Sequence, residues 1–334
     1  MTPRAPALAC GFLLLLGLAL HARGREDLLL GAGEHTYRWV SGWAKLPPGM
    51  SLGNTHGCIA VDKQDNVYLN TDTEHAVIVF DRDGNFVRSF GKELAGGLHG
   101  MLLREEGGQE FLYLAHLGRH EVLKTTLAGE ILWTLGYPAE SGLYDDPARF
   151  LPTSVAVAPD GTLYVADGYG LSWIHVFDRE RRYVRSLGGL GGLRGQFSTC
   201  HGIAIEEWNG APALVVADRE NHRVQVLDLA GRVQAVAQGE LRRPCHVQER
   251  DGALLVPDLA GRVTILGPAG EALAQLGDQP DEALRARNDV GRDLWKDGEF
   301  LSPHCARWDS RGDLYVVDWN SLGRITKLER VRQR

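Results

Sequence analysis

A short strand opening, usually carrying a histidine, recurs about six times along this 334-residue chain. The openings are Thr55-His56-Gly57, Leu98-His99-Gly100, Pro152-Thr153-Ser154, Cys200-His201-Gly202, Cys245-His246-Val247 and Pro303-His304-Cys305. Their central residues stand 43, 54, 48, 45 and 58 positions apart. Each opening leads into an apolar strand, a turn such as Asp160-Gly161, and a second strand ending in Asp or a polar pair. Third strands such as Ile174–Asp178 and Val224–Asp228 follow, then fourth strands such as Phe86–Phe90 and Tyr183–Leu187. A fixed motif at this period marks a ring of four-stranded blades, because a blade apolar on both faces needs neighbours on both sides. The spacing therefore predicts an all-β, six-bladed β-propeller over 46–330. The segment His35–Val40 precedes the first full repeat and is placed to lend the last blade a closing strand, which would protect the sheet edges.

The 41 glycines and the turn pairs Asp83-Gly84, Asp251-Gly252 and Arg311-Gly312 fit many short strands better than helices. A net charge of -7 argues against a nucleic-acid or anionic-membrane partner, since either needs a basic face. Arg4, the apolar run Gly11–Leu20 and the small residues around Ala22-Arg23-Gly24 read as a secretory leader over 1–24. The run is short for a bilayer, so a secreted or periplasmic protein without a stable membrane anchor is expected. Residues 25–45 form a lead-in. Removal of the leader leaves Cys58, Cys200, Cys245 and Cys305. An even count in an exported chain favours disulfides, but geometry decides which cysteines meet. Neighbours of an inward residue on a regular strand point elsewhere, so Cys200, Cys245 and Cys305 are read as packing between blades.

Histidines opening alternate blades converge on the ring axis, and His99, His201 and His304 form such a set. A catalytic zinc takes three protein ligands and keeps a fourth position open, which a triangle of imidazoles provides. The complementary set, His56, Thr153 and His246, is broken at Thr153. The alternative role for the triangle is to plug the channel through hydrogen bonds to backbone. Asp167-Gly168-Tyr169 and Ala217-Asp218-Arg219-Glu220-Asn221 end second strands and open on the same face as the histidines. A tyrosine beside an arginine and a metal has a lowered pKa and acts as a base. His116, His120 and His222 are read as surface or loop residues, and Gln279–Glu299 as a solvated insertion forming a short helix or lid. The glycines of Gly188–Gly195 do not fit a phosphate-binding GxGxxG loop.

The repeat, with Gly195-Gln196-Phe197 leading into Cys200-His201-Gly202-Ile203-Ala204, resembles the NHL-repeat propellers over Gly53 to Leu328. Within that class the chain is similar to the peptidyl-α-hydroxyglycine α-amidating lyase domain of the peptide-amidating enzyme. The matching motifs are Leu98-His99-Gly100, His201 upstream of Ala217–Asn221, Pro303-His304 and Asp167-Gly168-Tyr169. The resemblance implies a zinc-dependent carbon–nitrogen lyase, with zinc on His99, His201 and His304 and with Tyr169 and Arg219 as catalytic residues. It would break a carbinolamide into an amide and glyoxylate. His56, His246 and Arg243 would shape the substrate pocket. Three departures stand out. The family's first-blade carboxylate arginine aligns with His56-Gly57; its structural-calcium aspartate, directly after the third zinc histidine, is Cys305; and its half-cystine after Asp-Gly-Tyr is Gly170. The expected partner is a small-molecule or peptide substrate. The competing expectations are a non-catalytic propeller that binds a protein, peptide or glycan, and a zinc site turned to ester or lactone hydrolysis.

Overall fold

Strands apolar on both faces have nowhere to go but between other sheets, and the computed structural model, which describes residues 27–332, stacks them so. The expected leader over 1–24 lies outside the described residues. Among these residues six antiparallel sheets form the blades of a propeller. Blade one comprises Ile59–Val61, Val67–Asn70, Val77–Phe80 and Phe86–Phe90. Blades two to five follow the same order, from inner strands Leu98–Glu106, Ser154–Val157, Cys200–Trp208 and Gln248–Arg250 to outer strands Ile131–Leu135, Tyr183–Gly188, Val233–Gln238 and Ala272–Leu276. The second and third strands are largely buried, as in Val67, Leu69, Val77 and Val79, whereas the outer strands are half-exposed.

Blade six takes Pro303–Trp308, Leu314–Asp318 and Arg324–Arg330 from the chain's end and Tyr37–Val40 from its beginning. Tyr37 pairs with Arg330 and Val40 with Lys327, and Leu29–Leu30 adds a fifth strand outside. The seam to blade one is filled by Trp43, whose ring centroid lies 5.4 Å from Phe80 and 4.9 Å from Tyr315. A disulfide between Cys58 and Cys305 joins the inner edges of the same two blades.

Two expectations are corrected. Gln279–Glu299 forms no α-helix, only single 3-10 turns at Glu282–Leu284 and Arg292–Leu294. It is also tied down: Val290 is buried, Asn288 donates to the Asn54 side chain at 2.8 Å, and the Asn288 carbonyl accepts from Ser321 at 2.8 Å. Without a periodic apolar face, its polar groups bond to the neighbouring blades instead. His116 is buried, not at the surface, because the second strand of blade two runs through it and pairs it with Leu98. His120 is half-buried and bonded to the Phe150 carbonyl, while His222 is an exposed loop residue.

Candidate functional site

The three histidines reach the axis through a backbone irregularity. In blade four Cys200 pairs with Asp218 and Gly202 with Ala217, which leaves His201 as an unpaired extra residue. His304 is extra in the same way between Pro303 and Cys305, and blade two shifts register between Leu98 and Met101, around His99. A β-bulge turns a side chain out of the pleat, and here it aims each imidazole inward. The residue after two of them must be small. A Cβ on Gly100 would sit 2.5 Å from the Thr153 carbonyl oxygen, and one on Gly202 would sit 2.4 Å from that of Cys245.

Buried carboxylates hold the segments entering the inner strands of blades three to six. Asp167, Asp218, Asp258 and Asp318 end the second strands with no exposure, and each accepts backbone N–H groups from the segment entering the inner strand of its own blade. Asp218 also binds Arg223 Nε at 2.7 Å and the Asn221 amide, which shapes the turn carrying Arg219. Burial pushes the Asp167 carboxyl up to about 6, although Leu171, Tyr144 and Leu151 donate to it.

The imidazoles are wired alike. His99 Nδ1 bonds to the Thr153 carbonyl at 2.7 Å, His201 Nδ1 to the Cys245 carbonyl at 2.7 Å, and His304 Nδ1 to the Gly57 carbonyl at 3.0 Å. A carbonyl can only accept, so Nδ1 carries the proton and every Nε2 keeps a lone pair. The ring centroids stand 4.7, 4.7 and 4.9 Å apart, close to an equilateral triangle. The Tyr169 hydroxyl lies 3.3 Å from His99 Nε2 and 3.0 Å from His201 Nε2, while His304 Nε2 is buried without a partner among the described residues. One hydroxyl proton cannot satisfy three lone pairs; a cation can. Burial holds all three imidazoles well below their ordinary pKa, so they remain neutral donors.

Arg219 completes the cluster. Its Nη1 donates to the Tyr169 hydroxyl at 3.1 Å, its Nε donates to Glu220 at 2.8 Å, and Arg243 binds the same Glu220 oxygen at 2.6 Å. The expected lowering of the Tyr169 pKa is not found in the chain alone. Burial raises it, and the Arg219 charge offsets only part of that effect. His56 stacks nearly parallel to Tyr169 at 6.3 Å and lies 4.9 Å from the His99 ring. His246 is placed differently: its Nε2 faces Arg307 Nη2 at 3.2 Å, although the ring still lines the axial cavity.

That cavity is small, about 10 Å³, and is lined by His99, His201, His246, His304, Cys58 and Cys245. Nitrogens of His56, His99 and His304 come within 4.8 Å of one another, and so do those of His201 and His304 with Cys245 Sγ. Cys245 is thus not confined between blades as expected. Pro244–Cys245–His246 makes one isolated bridge, and the strand starts only at Gln248, so strand alternation does not govern it. Cys200 does pack in the seam between blades three and four. Cys305 is committed to Cys58 and offers no carboxylate. The bulges, the capping aspartates and the Cys58–Cys305 pairing were not assigned from sequence; the only hint was the recurring Asp at the second-strand ends.

Fold and site together define a six-bladed propeller of the NHL type with a convergent histidine cluster on its axis. No protein-family model matches the chain. It is 30% identical over 165 residues to the "Probable peptidyl-alpha-hydroxyglycine alpha-amidating lyase" of Caenorhabditis elegans, a match covering 48% of this chain and 45% of that protein. It is 25% identical over 307 residues to peptidyl-alpha-hydroxyglycine alpha-amidating lyase 2 of Drosophila melanogaster, covering 85% and 70%. The chain thus spans less than half of the worm relative. Among solved structures, a streptogramin B lyase superposes with a TM-score of 0.58 over 84% of this chain and 95% of that one at 13% identity, which bears on the fold alone. The protein is an NHL-type propeller that resembles the amidating-lyase domain.

Proposed function

We propose that this is an exported, zinc-dependent carbon–nitrogen lyase that splits a carbinolamide into an amide and an aldehyde acid such as glyoxylate. The carrying observation is the triangle of three imidazole rings around the axis, two of whose Nε2 atoms meet the Tyr169 hydroxyl that Arg219 also contacts. Three neutral imidazoles with one orphaned nitrogen fit a tetrahedral cation with an open position. Zinc held by His99, His201 and His304 would supply Lewis acidity toward the substrate hydroxyl. The lyase-named relatives support the same reading.

Tyr169 takes the hydroxyl proton. It does so as the phenolate, which Arg219 would stabilise through its 3.1 Å contact, and becomes the neutral phenol; Glu220, bonded also to Arg243, holds the guanidinium. As the hydroxyl oxygen becomes a carbonyl, the C–N bond breaks and its electron pair goes to the amide nitrogen. The proton on Tyr169 then passes to that nitrogen, so the reaction consumes no other reagent. His56 stands beside Tyr169 where the substrate carboxylate would lie. Burial keeps it neutral, so it offers one N–H where an arginine offers a charged fork, and weak substrate binding is expected. His246, turned toward Arg307, forms the cavity wall.

The test is the metal content of the mature protein beside a His201→Ala variant, with glyoxylate release from hydroxyglycine-terminated peptides as the activity. About one zinc per chain, lost in the variant together with activity, is expected. A well-folded, metal-free parent would sink the proposal and leave a binding propeller.

A further inference from the structure

Resting on that metal reading, we infer that Cys245 is a fourth, thiolate donor to the axial site. Its sulfur lies within 4.8 Å of a ring nitrogen of each of His201 and His304, and it is fully buried and outside the disulfide. The histidine it approaches most tellingly is His304, 4% exposed and with Nε2 unpartnered among the described residues. Two independent groups, a free thiol and an orphaned imidazole, thus look into the same small cavity. The thiol's present bond is a 3.7 Å contact to the Arg243 carbonyl, weak enough to be exchanged.

The backbone makes the approach possible. The Cys245 carbonyl accepts from His201 Nδ1, so the residue that orients one imidazole also carries the sulfur. Cys245 N–H is bonded to the Pro257 carbonyl, which pins the segment to its blade. Coordination forms a metal–sulfur bond and releases the thiol proton to solvent; no electron moves. A His3Cys set favours zinc, copper(I) or cadmium over manganese or magnesium. It also leaves one position for which Cys245 and an incoming oxygen donor compete, so the free site is closed and opens on substrate binding.

Metal-free full-length mature protein loaded with Co2+ provides the test, read by absorption and not by turnover. The wild type is expected to show visible d–d bands together with a near-ultraviolet thiolate-to-cobalt charge-transfer band. Cys245→Ser should keep the visible bands, lose the near-ultraviolet band and bind cobalt at least about tenfold more weakly, the lower end of what a lost supporting group costs a metal site. Visible bands without the charge-transfer band in the wild type would overturn the inference and leave the three-histidine site standing. A charge-transfer band that survives in Cys245→Ser would overturn it in favour of another sulfur. No cobalt uptake by folded wild type would overturn both readings. Zinc X-ray absorption on the wild type needs no variant: one sulfur at about 2.3 Å beside nitrogens at about 2.0–2.1 Å is expected, and a nitrogen-only shell refutes thiolate ligation.

Discussion

At Tyr169 a single hydroxyl meets three partners, His99 Nε2, His201 Nε2 and Arg219 Nη1, within 3.3 Å. Tyr169→Phe keeps the ring against His56 and His99 and removes only that oxygen. Turnover is expected to fall about 10²- to 10⁴-fold, the range for a general base, with KM and the melting temperature little changed. Steady-state kinetics with a hydroxyglycine-terminated peptide checks this, and turnover within a few-fold of the parent would remove Tyr169 from the proton-transfer role. Burial is a property of the assembled ring, and it outweighs the arginine that the motif does show.

Among the elements, the second-strand ends do the positioning. Asp218 and Arg223 form a 2.7 Å ion pair with side chains 0% and 9% exposed, beneath the turn that carries Arg219. Asp218→Ala leaves the arginine buried without its partner and is expected to cost about 3–5 kcal/mol, measurable as a drop in the urea midpoint. In blade three His175 is fully buried, with Nε2 2.6 Å from the Tyr144 hydroxyl and Nδ1 2.8 Å from Ser186 Oγ. Burial pushes it down to about 4 from 6.5. As pH falls below 6.5 the unfolded chain takes this proton first, so stability drains until the folded imidazole titrates near 4, by about 3 kcal/mol in all. His175→Gln lacks this linkage. Its deficit relative to the parent should therefore shrink between pH 7 and pH 4, measured by denaturant unfolding at both. Asp167, raised to about 6, acts with the opposite sign and shares the Tyr144 hydroxyl with His175, so an Asp167→Asn background removes its contribution from both proteins. A deficit that stays constant would show that His175 does not titrate as its burial implies.

For the whole molecule the question is how the ring stays shut. Tyr37–Val40 hydrogen-bonds the chain's beginning to its last strand, and Cys58–Cys305 links residues 247 positions apart across the same seam. Closing so long a loop restricts the unfolded chain, and replacing both cysteines by serine is expected to cost about 2–5 kcal/mol. The check is a melting temperature that reductant lowers in the parent and leaves unmoved in the double variant. Because Cys58 and His304 with its neighbour Cys305 meet at this seam, opening it would also loosen the axial cavity.

The repeat period was enough to specify blade number, all-β architecture and the donor strand, because these follow from local apolar alternation and turn chemistry. The histidine triangle was legible too, since every second opening of a six-membered ring places its histidine at one corner of a triangle about the axis. What the tertiary structure decided is finer. A bulge adds one residue that no composition reveals, and Cys245 lies ahead of its strand beside an isolated bridge, outside the alternation on which its reading depended. His116 and His246 took their burial, and Tyr169 its partners, from neighbouring strands and blades. Local sequence sets which strands form and face inward; only the closed ring sets which atoms meet, because desolvation and contact are made between blades.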